Sequence, residues 1–125
     1  MKGRAIVVTG GFGALGQVVA EAAARRGARV VALDVAAAPP AGLSERLAPD
    51  ALALGGVDLT SAEGARRAMV EVKARFGRLD ALVNVAGGFR WETVGDGDPM
   101  TWDHLFALNV KTALNASKAA LPYLL

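Results

Sequence analysis

The 125-residue sequence predicts an α/β fold, a doubly wound parallel sheet with helices on both faces. Two observations carry this expectation. Short apolar runs alternate with amphipathic helical stretches, as in a parallel sheet covered on both sides. The turn after the first run reads Gly11-Phe12-Gly13-Ala14-Leu15-Gly16, a G-x-G-x-x-G between a buried strand and a helix. Right-handed crossovers and a reversal after the third strand predict the spatial order 3-2-1-4 in one domain spanning residues 1–125.

Each element has its own signal. The first strand covers about Arg4 to Thr9, and the first helix about Ala14 to Arg26, with Gly27 as its stop. The second strand runs from Arg29 to Asp34. Residues Ala36 to Asp50 hold three of the five prolines and read as a loop with one helical turn near Ser44 to Leu47. The third strand lies near Ala51 to Val57. Thr60-Ser61-Ala62-Glu63 has the spacing of a capping box and opens a helix that Gly77 closes. The fourth strand spans Ala81 to Val85, and a Gly-rich loop follows. Asp98 as N-cap and Pro99 as first helical residue start the last helix. Phe106, Val110, Ala113, Ala120 and Leu124 form one apolar row along it, and Leu114, Leu121 and Leu125 a second.

Composition narrows the function classes. Apolar residues make up 53%, enough for a real core and against disorder. Net charge is only +2, and Arg25-Arg26 and Arg66-Arg67 fall on helix faces opposite apolar rows, so a nucleic-acid surface is not expected. The absence of cysteine and the single histidine exclude disulfides, thiolate chemistry and Cys- or His-rich metal sites. No apolar stretch is long enough to span a bilayer, and the amino terminus runs directly into the first strand. Neither membrane nor leader is expected, and cytoplasm is the default location.

The glycine turn carries the chemistry. Glycines let a pyrophosphate approach the backbone closely, and the helix start offers unpaired N–H groups and a partial positive charge. Asp34 closes the second strand, where a carboxylate accepts bonds from ribose hydroxyls and repels a 2′-phosphate. Its neighbours are Val35 and Ala36, and the glycine turn carries Phe12 rather than a basic residue. The cofactor expected is therefore NAD rather than NADP.

These residues resemble the short-chain dehydrogenase/reductase family, and the likeness covers the whole chain. Thr9-Gly10-Gly11-Phe12-Gly13-Ala14-Leu15-Gly16 is similar to the family's Thr-Gly-x-x-x-Gly-x-Gly cofactor loop, with alanine at position 14 where glycine is usual. Val57-Asp58-Leu59-Thr60 resembles the segment whose aspartate contacts the adenine ring. Asn84-Val85-Ala86-Gly87 is similar to the Asn-Asn-Ala-Gly motif along the adenosine and ribose, with Val85 replacing the second asparagine. Asn109 matches the helix asparagine that holds a water in the proton relay.

The resemblance implies a Rossmann-like cofactor-binding half of an NAD(P)-dependent oxidoreductase. Its substrate is a small-molecule alcohol or ketone, and its last helix contributes to a homo-oligomer interface. It also implies the site residues: Gly10, Gly11, Gly13, Leu15, Gly16, Asp34, Asp58, Leu59, Asn84, Ala86 and Gly87 for cofactor, Asn109 for catalysis, and no metal. The family's catalytic serine and Tyr-x-x-x-Lys pair lie past the helix at which these 125 residues stop. Tyr123 has no following lysine and is not a candidate, so the chain by itself is expected to be inactive. The alternative is a non-catalytic dinucleotide-binding half-domain or interaction module. His104 is expected on the helix surface, and Phe89, Trp91 and Trp102 suit either packing or a substrate wall.

Overall fold

A computed structural model describes residues 1–125. Four strands, β1 (Ala5–Thr9), β2 (Arg29–Leu33), β3 (Leu52–Leu54) and β4 (Ala81–Val83), form one parallel sheet in the order β3-β2-β1-β4. The expected order holds. Strands β3 and β4 are shorter than the apolar runs suggested, because pairing stops where the chain leaves the sheet to line a cleft.

Alternation along β1 sends side chains to two separate cores. Ala5 and Val7 join Val31, Leu33 and the inner face of helix α3 (Ala62–Phe76), chiefly Met69, Val72 and Phe76. Ile6 and Val8 join Val30, Ala32 and helix α1 (Ala14–Arg25), with Leu43 and Leu47 of the short helix α2 (Leu43–Leu47) sealing that side. Every β1 residue is buried, which explains its unbroken apolar reading up to Thr9.

The start of α3 departs from the expected capping box. Ser61, not Thr60, is the N-cap, accepting a bond from the Gly64 N–H at 3.1 Å. Thr60 is occupied elsewhere: its N–H and hydroxyl both bond to Asp58. Glu63 then turns outward to Arg66, which holds its carboxyl below the usual range.

The last helical stretch is also different. Helix α4 (Pro99–Phe106) is capped by Asp98 as expected, then widens into a π turn at Ala107–Lys111 before helix α5 (Thr112–Leu124). The inward row is Thr101, Thr112, Ala116 and Ala120, while Phe106, Val110, Leu114 and Leu121 are exposed. The row is thus displaced by about one residue from the apolar one. Small residues let α5 approach α3, and the two threonines satisfy their hydroxyls on Glu92 and on the Leu108 carbonyl. A row so small and polar leaves no strong hydrophobic signal.

At the end of the sheet opposite the glycine turn, Asp80 locks the start of β1. Its Oδ2 accepts from the Ala5 N–H at 2.8 Å and from Arg78 Nε at 2.7 Å, and Arg4 lies at 3.7 Å. The Arg78 bonds above all, helped by the Ala5 N–H and Arg4 and opposed by burial, hold its carboxyl at about 2. A carboxylate depressed in the fold contributes stability above the ordinary aspartate range and loses it as pH falls. Acid unfolding followed by circular dichroism is expected to cost about 1–2 kcal/mol between about pH 4 and 2 through this group, the exposed arginines limiting it. Asp80→Asn should remove that component; an unchanged acid limb would contradict it.

Candidate functional site

The carboxyl ends of the four strands open onto a cleft of about 700 Å³, a size suited to a cofactor. It lies at the point where the chain reverses from β2 and β3 on one side of β1 to β4 on the other. Thr9 splits the ends of β1 and β4 apart. Its buried hydroxyl accepts the N–H groups of both Val85 and Ala86 at 3.1 Å, so the β4 segment turns away into the cleft wall.

The glycine turn forms the floor. Gly10 has φ +61°, and a Cβ there would lie 2.8 Å from the Ala86 Cα. At Gly16 a Cβ would sit 2.0 Å from the Gly10 carbonyl oxygen. Gly10 is therefore required by the close approach of the β4 segment, and Gly16 by the packing of the turn on itself. Gly11 is buried beneath, its N–H donating to the Leu33 carbonyl at 2.8 Å, and does not line the cleft. Gly13 differs: the nearest atom to an added Cβ is 3.4 Å away, an ordinary contact. Its missing side chain leaves room on the cleft side. Helix α1 begins there with no side-chain cap, so its first N–H groups are available at the floor, where Ala14, Leu15 and Gly16 also lie.

Asp34 stands at the side of the floor. Its Oδ2 accepts the Phe12 N–H at 3.0 Å and its Oδ1 the Ala36 N–H at 3.1 Å, fixing the carboxylate against the glycine turn. Gln17 supports the same turn by donating to the Phe12 carbonyl at 2.7 Å, and Arg46 of α2 in turn donates to Gln17. Across the cleft, Asp58 and Leu59 line the end of the β3 segment, and Ala86 and Gly87 the end of the β4 segment. The lining contains two carboxylates, Asp34 and Asp58, and no lysine or arginine.

Besides Gly11, two expected site residues, Asn84 and Asn109, do not line the cleft. Asn84 donates to Ser117 of α5 at 3.2 Å. Asn109 sits in the π turn, where its amide accepts from the Gly88 N–H and donates to the Gly88 and Leu105 carbonyls at 2.9 to 3.1 Å. The Leu105 carbonyl in the widened stretch is taken by that side chain, and π turns recur at functional sites. His104, expected simply on the helix surface, is exposed but lines the cleft together with Leu108 and Thr112. Tyr123 packs against the α3 core and does not line the cleft. Phe89, Trp91 and Trp102 are exposed outside it. No three acidic, histidine or cysteine side chains converge to hold a metal, and no helix is long and apolar enough to cross a membrane.

Comparison with known proteins bears out the fold. The family model described as short chain dehydrogenase matches residues 4–125. The 2-(S)-hydroxypropyl-CoM dehydrogenase 3 of Xanthobacter autotrophicus is 38% identical, the match covering 97% of this chain and 48% of that protein. The cis-2,3-dihydrobiphenyl-2,3-diol dehydrogenase of Paraburkholderia xenovorans is 33% identical over 99% of this chain and 46% of its own length. A crystal structure of a short chain dehydrogenase from Mycobacterium smegmatis superposes with a TM-score of 0.89 at 30% identity, over 98% of this chain and 52% of that one. The chain spans about half the length of the curated relatives it matches. On its sequence match and its fold alike, this chain belongs to the short-chain dehydrogenase family.

Proposed function

We propose that the chain is the cofactor-binding half of an NAD-dependent oxidoreductase that transfers hydride between nicotinamide and a small alcohol or ketone. The carrying observation is Asp34, locked by two backbone N–H groups beside a glycine turn, in a cleft whose lining has no cation. A 2′-phosphate would meet carboxylate and find no partner, so NAD is favoured over NADP. The fit to a dinucleotide rests on the open space at Gly13 and on the uncapped start of α1, which together accept a pyrophosphate. Bound there, the nicotinamide supplies the hydride chemistry. The protein groups do the rest: Gly10, Gly13, Leu15 and Gly16 bind the phosphates, Asp34 the ribose, Asp58 and Leu59 the adenine, and Ala86 and Gly87 the sugar. Gly11 and Asn84 brace these segments, and Asn109 positions the Gly88 backbone next to the reacting end.

The family's serine and Tyr-x-x-x-Lys pair, which would exchange a proton with substrate, are not among these 125 residues, and the chain alone is proposed to bind without turnover. Amide chemical shifts on addition of NAD test the reading. Gly10, Gly13 and Gly87 should move while the outer face of α3 stays still; shifts spread evenly, or absent, would contradict it.

The outward apolar row Phe106, Val110, Leu114 and Leu121 is proposed to pair with a second copy, since exposed apolar patches of this kind mark association sites. A soluble protein, working in the cytoplasm, fits this reading. Light scattering should show concentration-dependent association, and a compact monomer at high concentration would refute it.

A further inference from the structure

Asn115 of α5 bonds the backbone of the segment that follows β3 at the edge of the cleft, and neither the motifs nor the family match assigns it a role. Its Nδ2 donates to the Leu59 carbonyl at 2.9 Å and to the Thr60 carbonyl at 3.2 Å. Only an N–H group can face two carbonyl oxygens, so the orientation of the amide is unambiguous.

The same two peptide groups are held from their other ends. The Thr60 N–H, in the plane of the Leu59 carbonyl, donates to Asp58 Oδ1 at 2.9 Å. The Ser61 N–H, in the plane of the Thr60 carbonyl, donates to the Asp58 carbonyl at 3.3 Å. A peptide group is planar, so fixing its oxygen fixes the direction of its N–H. Asn115 therefore sets two N–H vectors that both end on Asp58. The Thr60 hydroxyl adds a third bond to Asp58 Oδ1 at 2.6 Å. One carboxylate oxygen is thereby committed to the turn, and Oδ2 is left for a ligand in the cleft.

We propose that Asn115 is a positioning residue for the adenine subsite, acting through the Leu59 and Thr60 peptides to aim the Asp58 carboxylate. The proposal rests on the dinucleotide reading of the cleft. Removing the double donor leaves two carbonyls to find water and frees both peptides to rotate, so Asp58 loses its aim without leaving the site. Asn115 itself touches no ligand, and α5 keeps its packing through Ala116 and Ala120.

A double-mutant cycle read by NAD titration tests this, because acting through Asp58 makes the two changes non-additive. Asn115→Leu should weaken NAD about tenfold in a protein that melts close to the wild type, comparable with loss of a well-aimed polar contact. In an Asp58→Ala background the same change should cost less than about twofold, the aimed group being gone. Asn115→Asp, the same shape without N–H donors, serves if the leucine variant folds poorly, and should lose affinity likewise. Unchanged affinity in both variants would overturn the proposal, as would a full tenfold loss persisting in the Asp58→Ala background. Failure of the wild type to bind NAD at all is a different outcome, which brings down the dinucleotide reading and this proposal with it.

Discussion

Gly13→Asp is expected to abolish NAD binding in a protein that still folds. The added Cβ meets nothing closer than 3.4 Å, so the turn accommodates it. The carboxylate would then occupy the space beside the first N–H groups of α1. A unit charge about 4 Å from a phosphate costs about 4 kcal/mol at the effective dielectric of a partly exposed site, close to three powers of ten in affinity. Gly16→Ala should behave in the opposite way. Its Cβ would fall 2.0 Å from the Gly10 carbonyl oxygen, and no flexible side chain is there to give. That variant should lose stability first and binding as a consequence. Calorimetric titration with thermal melting separates the two. A folded Gly13→Asp protein with wild-type affinity would remove the glycine turn from the site.

Asp34→Ala is expected to weaken NAD and to close most of the gap to NADP. Losing a hydrogen-bonded charged acceptor costs about 1–3 kcal/mol, and the repulsion of a 2′-phosphate disappears with it. Part of the loss has another origin, because Asp34 also holds the Phe12 and Ala36 N–H groups. Asp34→Asn separates these contributions in part: it removes the charge and keeps one of the two acceptors, the amide NH2 being unable to accept the other N–H. It should therefore gain NADP affinity with less damage to NAD. Equal loss of both cofactors in the asparagine variant would show that Asp34 serves the turn alone.

Much of this was legible in the sequence because local and global signals coincide. The apolar strands β1 and β2, the glycine turn and the Asp98–Pro99 helix start each follow from short-range chemistry, and the strand order follows from handedness. The cleft gathers Gly10, Gly13, Leu15, Gly16, Asp34, Asp58, Leu59, Ala86 and Gly87 from separate stretches of chain, as a switch-point crevice requires. What stayed hidden depends on long-range contacts. Nothing local distinguishes Asn115 from a surface amide until α5 is laid across the β3 loop. Thr9 reads as a strand end, and only the splaying of β4 shows what its hydroxyl holds. The inward face of the last helix was legible only at Ala120, because threonine and alanine fill it while its larger apolar side chains point out. The π turn at Asn109 is invisible to any 3.6-residue pattern.

On the proposed reading this chain holds NAD in the cleft between the glycine turn and Asp58, with Asp34 choosing it over NADP. Calorimetric titration of the wild-type chain with each cofactor measures both halves at once. The expected result is one site per chain, NAD binding more tightly than NADP by about tenfold or more. No heat with either cofactor, or a preference for NADP, would contradict the account.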